Sequence, residues 1–281
     1  GFLNSATLEY VAGTIDADAC APAPNVTFEK SFGALTPNLD GTWTVTYGIE
    51  VTNGGAGAGA YTLDDALAFG SGVSAVDGSA VVTSADGLTT DPAWTGLAPN
   101  TNIVTGQPIA GETVHEFTVS VDVTIATTIT TEATDCTLAQ GETGTGLLNN
   151  ATLNINGIVT NDDACAEVPN ITTTKDLVGE AIANGDGTHT ATYRIEVTNE
   201  GAGDGEFDLE DELRLGDGIT VTAASVVNSI PGDIPTDALW DGQAVTGIVS
   251  GQDIAGGATG QPCWVEGTVT LVEFLGHSTS Y

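Results

Sequence analysis

The chain has 281 residues, with 38 acidic against 4 basic side chains and a formal charge of −34. That balance argues against nucleic acid and anionic membrane surfaces as partners. Its 41% hydrophobic content excludes a disordered chain, and no apolar run is long enough to cross a bilayer as a helix. The absence of methionine and of a signal-like apolar segment is what a mature or excised piece of a secreted precursor would show.

In chain order, the first predicted element is GFLNSATLEY at 1–10, where Phe2, Asn4, Ala6, Leu8 and Tyr10 share one face of a strand. The segment closes with DADAC at Cys20. A second strand over VTFEKSF places Lys30 in phase with Val26, Phe28 and Phe32. A third aligns Trp43, Val45, Tyr47, Ile49 and Val51, and the Gly-rich loop Gly54 to Gly59 then turns the chain. In YTLDDAL, Asp65 lies between Leu63 and Leu67; Phe117, Val119, Val121 and Val123 form another apolar face. GLLNNATL at 146–153 repeats the opening segment, with Asn149 in phase with Leu147, Ala151 and Leu153, and NDDAC repeats DADAC at an offset of 165 − 20 = 145.

The whole pattern then recurs. GTWTVTYGIEVTNGGAGAG from Gly41 matches GTHTATYRIEVTNEGAGDG from Gly187, an offset of 187 − 41 = 146. Lys175 matches Lys30, Asp211 between Leu209 and Leu213 matches Asp65, and Trp240 matches Trp94. A repeat of this length is a domain rather than a solenoid turn. Short alternating runs at roughly ten-residue spacing indicate antiparallel β-sandwiches. The expected organisation is a donor strand and linker over 1–20, a complete sandwich over 21–165, and a second over 166–281 that lacks its last strand. The proline-bearing linkers APAPN and AEVPN favour a stiff rod. A strand in surplus at one end and missing at the other suggests a chain completed by its neighbours, hence a polymer.

From TFEK through GTWTVTYGIEVTNGGAGAGAYTLDDAL to LLNNATL the sequence resembles the immunoglobulin-like repeats of bacterial and archaeal surface proteins, the group that includes DUF11-type and isopeptide-forming fimbrial or adhesin domains. The resemblance implies two tandem immunoglobulin-like sandwiches in an extracellular stalk, fibre or pilus.

The chain has two lysines, Lys30 and Lys175, at equivalent positions, since 175 − 30 = 145. A lysine, an aspartate and an asparagine on apolar strand faces are costly to bury unless they meet. Burial favours a neutral amine and a protonated acid, and such an amine can attack a side-chain amide polarised by that acid, expelling ammonia. In the resembled domains a first-strand lysine, a central acid and a last-strand asparagine play these roles. Lys30, Asp65 and Asn149 match them in order and facing; Lys175 and Asp211 would find their asparagine in Asn4 of another subunit. The alternative is an ion pair with a hydrogen-bonded asparagine and no covalent bond. Glu50, matched by Glu196, has the parity of a solvated side chain.

Cys136 and Cys165 flank the last strand of the complete repeat and are expected to pair, with Cys20 pairing to Cys263 of a neighbour or both remaining free thiols. Asn25, Asn150 and Asn170 head glycosylation sequons. Calcium is a further expectation at Asp16, Asp18, Asp162 and Asp163, at the domain junctions. No other cofactor is expected, and no Ser/His/Asp arrangement recurs in both copies, so no enzymatic activity is expected. The leading reading is a head-to-tail structural subunit. The alternatives are an adhesive module that binds a host or environmental surface, an accessory domain of a secreted hydrolase, and a slice of a longer tandem array.

Overall fold

The computed structural model describes residues 1–38, 40–228, 234–257 and 263–273, with the side chains of 263–265 and 273 outside that description. The chain is all-β and forms β-sandwiches in tandem. It divides into two compact units, Gly1–Ala166 and Glu167–Tyr281.

The strands of the first unit are β1 (Phe2–Tyr10), β2 (Gly13–Ala21), β3 (Val26–Pro37), β4 (Trp43–Asn53), β5 (Gly59–Leu67), β6 (Val73–Ala75), β7 (Val81–Ser84), β8 (Asn102–Ile109), β9 (Thr113–Ile125), β10 (Asn149–Ile155) and β11 (Ile158–Ala164). One sheet runs β3-β4-β9-β6, with β7 also on β9, and the facing sheet runs β11-β10-β5-β8. Because successive side chains alternate across a strand, Val45, Tyr47, Ile49 and Val51 of β4 and Phe117, Val119, Val121 and Val123 of β9 all point inward and are buried. Tyr61, Leu63, Ile103, Leu147, Ala151 and Leu153 fill the same interior from the opposite side.

The β10-β11 hairpin completes the facing sheet, with β10 seated between β11 and β5. It turns through Asn156 (φ 52) and Gly157 (φ 87), the paired positive φ of a two-residue hairpin turn. Tyr47 donates its hydroxyl to the Leu147 carbonyl at 2.6 Å, and the Lys30 backbone N–H donates to Asp162 Oδ2 at 2.7 Å, tying β3 to β11.

Cys136 and Cys165 are joined by a disulfide, 29 residues apart, which fastens the loop entering β10 to the end of β11. Replacing both by serine is expected to lower stability by about 2–4 kcal/mol. Thermal unfolding monitored by circular dichroism reads this directly, and an unchanged midpoint would mean that packing alone holds the hairpin.

The second unit contains β12 (Ile171–Leu177), β13 (Ile182–Ala183), β14 (Thr188–Asn199), β15 (Gly205–Glu210), β16 (Ile219–Asn228), β17 (Gly247–Ile254) and β18 (Cys263–Glu273). Its first sheet, β12-β14-β18-β16 with β13 on β14, reproduces that of the first unit. Its second sheet, among the described residues, is β15-β17 alone, the counterpart of β5-β8. Ala191, Ile195, Leu209, Trp240, Ile248, Val249 and Val269 make its core. Among the described residues, no strand pairs with the edge of β15 that corresponds to the β10 side of β5, and an edge of that kind presents main-chain groups to which another strand can bond.

The N-terminal segment is not the single strand expected from sequence but a hairpin. Among the described residues, β1 and β2 pair with each other and with no other strand. Asn4 faces Ala19 and Leu8 faces Ile15, while in β10-β11 Asn149 faces Ala164 and Leu153 faces Thr160. Adding 145 to each number of the first pair set gives the second, so the two hairpins share one register. Every residue of β1 and β2 is exposed, including Phe2 at 69% and Leu8 at 61%.

Candidate functional site

Three strands of the first unit bring one residue each to a point inside the sandwich. Asp65 on β5 faces Ala151 on β10, so Asn149, two residues back along β10, lies diagonally beside it on the inner face. Lys30 reaches the same point from β3 of the opposite sheet, and its Nζ lies 2.5 Å from Asp65 Oδ2 with both side chains 0% exposed. The Lys30 ammonium also sits 5.1 Å from the centre of the Tyr47 ring. Trp94 Nε1 donates to the Asp65 carbonyl at 3.0 Å, which fixes the strand carrying the acid.

Burial pushes the Lys30 amine below the usual lysine pKa, against the attraction of Asp65 and Asp162 that raises it. Burial likewise pushes the Asp65 carboxyl above the usual carboxylate range, partly offset by Lys30 and by the nearby Asn149 amide. Both shifts favour moving the proton from nitrogen to oxygen, giving a neutral amine beside a carboxylic acid. Burial also raises the Tyr47 hydroxyl, which therefore remains a donor to Leu147.

Asp65 Oδ1, Asn149 Nδ2 and Asn149 Oδ1 are buried and make no hydrogen bond of ordinary geometry, although the Asn149 amide lies near enough to Asp65 to favour its carboxylate. Buried amides and carboxyls normally have partners, because each one left alone costs about 1–3 kcal/mol. One rearrangement would remove all three: a proton passed from Lys30 to Asp65 Oδ1 would donate to Asn149 Oδ1, the polarised Cγ could accept the neutral Lys30 Nζ, and with a proton moved from that nitrogen to Nδ2 the Cγ–Nδ2 bond could break to release ammonia.

The second unit builds the same site without its third member. Lys175 pairs with Asp211, the Tyr193 ring lies 5.1 Å from the Lys175 nitrogen, and Trp240 Nε1 donates to the Asp211 carbonyl at 2.9 Å. The Lys175 side chain is 39% exposed against 0% for Lys30, and among the described residues no counterpart of β10 covers it. Asn4 lies on the free hairpin in the position that Asn149 holds in β10. Tyr47 and Tyr193 went unnoticed in the sequence as site residues, although their place in the repeated TYxIEVTN stretch was a usable signal.

Several expectations change. Asn170 is buried at 7%, with its backbone N–H bonded to Asn199 Oδ1, which removes it as an accessible sequon; Asn25 and Asn150 are exposed. Among the described residues no group of three or more His, Cys, Asp or Glu side chains is arranged to hold a metal. Asp162 is taken by the Lys30 backbone and Asp16 by the Thr7 hydroxyl at 2.7 Å, while Asp18 and Asp163 are exposed on their hairpins. Cys20 is an exposed free thiol. The Cys263 side chain lies outside the described residues, but its backbone faces Val197, at the Asn199 end of β14. Glu50 is exposed, as its parity requires.

No family model matches the chain, so the likeness to DUF11-type repeats remains a resemblance. Among solved structures the chain is similar to the full-length RrgB pilus protein of Streptococcus pneumoniae, at 12% identity over 92% of this chain and 37% of that one, TM-score 0.28. It is also similar to a three-domain backbone pilin of Streptococcus pyogenes, at 8% identity over 88% of this chain and 67% of that one, TM-score 0.27. A 23-residue stretch is 78% identical to part of a hydroxyquinol 1,2-dioxygenase of Rhodococcus opacus, covering 8% of each chain. The chain thus spans little more than a third of the first pilus protein's length. Superpositions this loose leave the functional reading to the chain's own geometry. No helix among the described residues is long and apolar enough to cross a membrane.

Proposed function

We propose that the chain is a structural subunit of an extracellular filament or surface fibre. Its complete sandwich is closed by a Lys30–Asn149 isopeptide bond, and successive subunits join head to tail through the N-terminal hairpin. The observation that carries the reading is the buried Lys30–Asp65–Asn149 cluster, whose three atoms lacking an ordinary hydrogen bond are those the bond-forming step would consume or satisfy. An acidic, repetitive β-chain with a disulfide fits an exposed, oxidising location. The chain carries out this reaction once, on itself, and no turnover on another substrate is part of the proposal.

Mass spectrometry of the full chain under reducing, denaturing conditions tests it. The expected mass is one ammonia below that calculated from sequence, with a branched peptide joining Lys30 to Asn149 after proteolysis. A chain at full mass would reduce the cluster to an ion pair and remove the covalent part of the reading. A chain that remains monomeric by light scattering at high concentration would remove the filament.

A further inference from the structure

We propose that the second unit is a receptor for the β1-β2 hairpin of a second copy of this chain, and that docking assembles a Lys175–Asp211–Asn4 cluster which closes an isopeptide bond between the copies. The inference rests on the filament reading and gives its joint a chemistry.

The first unit serves as the template. There β11-β10-β5-β8 form one sheet, and the second unit offers β15-β17 as the counterpart of β5-β8. The free hairpin has the register of β10-β11 and its inward sequence: Phe2, Asn4, Ala6 and Leu8 stand where Leu147, Asn149, Ala151 and Leu153 stand. Those four side chains, Leu147 just before β10 and the other three on it, are completely buried, whereas all four hairpin residues are exposed. Docked in the template register, β1 lies along β15 with Ala6 opposite Asp211 and Leu8 opposite Leu209, extending the sheet to β2-β1-β15-β17. Burial of Phe2 and Leu8 and a new row of main-chain hydrogen bonds drive association. The occupant is a second copy because that hairpin matches the slot in register, apolar pattern and the one missing reactive group.

Docking also sets the timing of the reaction. Lys175 is now partly in water, and a hydrated ammonium is not a nucleophile. The hairpin would cover it as β10 covers Lys30. In the closed site the Lys175 ammonium passes one proton to the Asp211 carboxylate, and the resulting acid hydrogen-bonds Asn4 Oδ1. The neutral Nζ attacks Asn4 Cγ, forming the C–N bond. A proton moves from that nitrogen to Nδ2, the Cγ–Nδ2 bond breaks, and ammonia departs. Amine plus primary amide gives secondary amide plus ammonia, with no change of oxidation state and no co-reactant. One tie of the template is absent: Ala17 stands where Asp162 would accept the backbone N–H of the lysine strand, since 162 − 145 = 17.

The docked geometry also bears on Cys20. It would lie near Leu213, as Cys165 lies beyond Asn149 and Leu67, whereas Cys263 faces Val197 at the far end of the sandwich.

Two variants of the full chain provide the test. Asn4→Ala keeps the receptor and loses the electrophile; Lys175→Ala keeps the hairpin and loses the nucleophile. On boiled, reduced gels the unmodified chain should give a ladder, and each variant alone should give single chains. Their mixture should give a two-chain product that grows no further, with Lys175 of one joined to Asn4 of the other. Lys175→Arg, which retains the charge opposite Asp211, should behave as Lys175→Ala and guards against misfolding. A ladder from either variant alone, no product from the mixture, or a Lys175–Asn4 link within one chain would overturn the inference. The Lys30–Asn149 peptide is read in the same digests. Its loss with the joint intact would strike the internal bond, and its presence without the joint would strike only this inference.

Discussion

Substituting Asp65 by alanine should yield a chain at its full calculated mass that unfolds well below the natural protein. Two losses add. Lys30 is left in a site with 0% side-chain exposure and without its ion-pair partner, and breaking a buried pair from one side costs about 3–5 kcal/mol. The cross-link is lost too. It closes a loop of 149 − 30 = 119 residues, for which the chain-entropy argument gives roughly 4–5 kcal/mol. Lys30→Met should also remain at full mass, yet unfold later than the alanine variant, because Asp65 can take up a proton and remain buried as a neutral acid.

The pH dependence separates the two variants. In Asp65→Ala the Lys30 amine has lost Asp65, the larger of the two attractions that raised it, and burial keeps its folded pKa below the ordinary lysine value. The unfolded chain then binds the additional proton, and stability rises as pH climbs toward that ordinary value. In Lys30→Met the Asp65 carboxyl, raised by burial, loses the neighbour that lowered it. Here the folded chain binds the additional proton, so stability falls as pH rises above the ordinary carboxylate value. Thermal midpoints between pH 5 and 9 should therefore slope in opposite directions. Parallel slopes, or an Asp65→Ala chain still lighter by one ammonia, would mean that a different acid serves the site.

Most of this geometry could be read from the sequence because a strand has a period of two. The parity of Lys30 with Val26 and Phe28, of Asp65 with Leu63 and Leu67, and of Asn149 with Leu147 and Ala151 assigns all three to inner faces, and the structure puts them there. Parity does not say which strands are neighbours, so the diagonal placement of Asn149 beside Asp65 depended on the β5-β10 register. The N-terminal hairpin was missed for a related reason. Its turn, Val11-Ala12, carries none of the usual signals, whereas its twin at Asn156-Gly157 announces one. Asp162 looked like a calcium ligand because a carboxylate at a domain junction has no sequence mark of its partner, which proved to be the Lys30 backbone.

Pulled from its ends, the first unit should lengthen very little. Tension enters at Val26, the start of β3, and leaves at Ala164, the end of β11, so an uncrosslinked unit releases 164 − 26 = 138 residues, roughly 480 Å at full extension. With both cross-links the path runs from Val26 to Lys30, through the isopeptide to Asn149, back to Cys136 and through the disulfide to Cys165. The unfolded part of that route beyond Lys30 is 149 − 136 = 13 residues, about 45 Å. Reduction alone should change little, because the alternative route from Asn149 to Cys165 is 165 − 149 = 16 residues. Lys30→Met with the disulfide intact should release 136 − 26 = 110 residues, roughly 380 Å. Single-molecule pulling in these four states therefore ranks the two bonds: the isopeptide carries the tension, and the disulfide keeps β10, the strand bearing the asparagine, in place. An extension of several hundred ångströms in the unreduced natural chain would show that β3 and β10 are not joined.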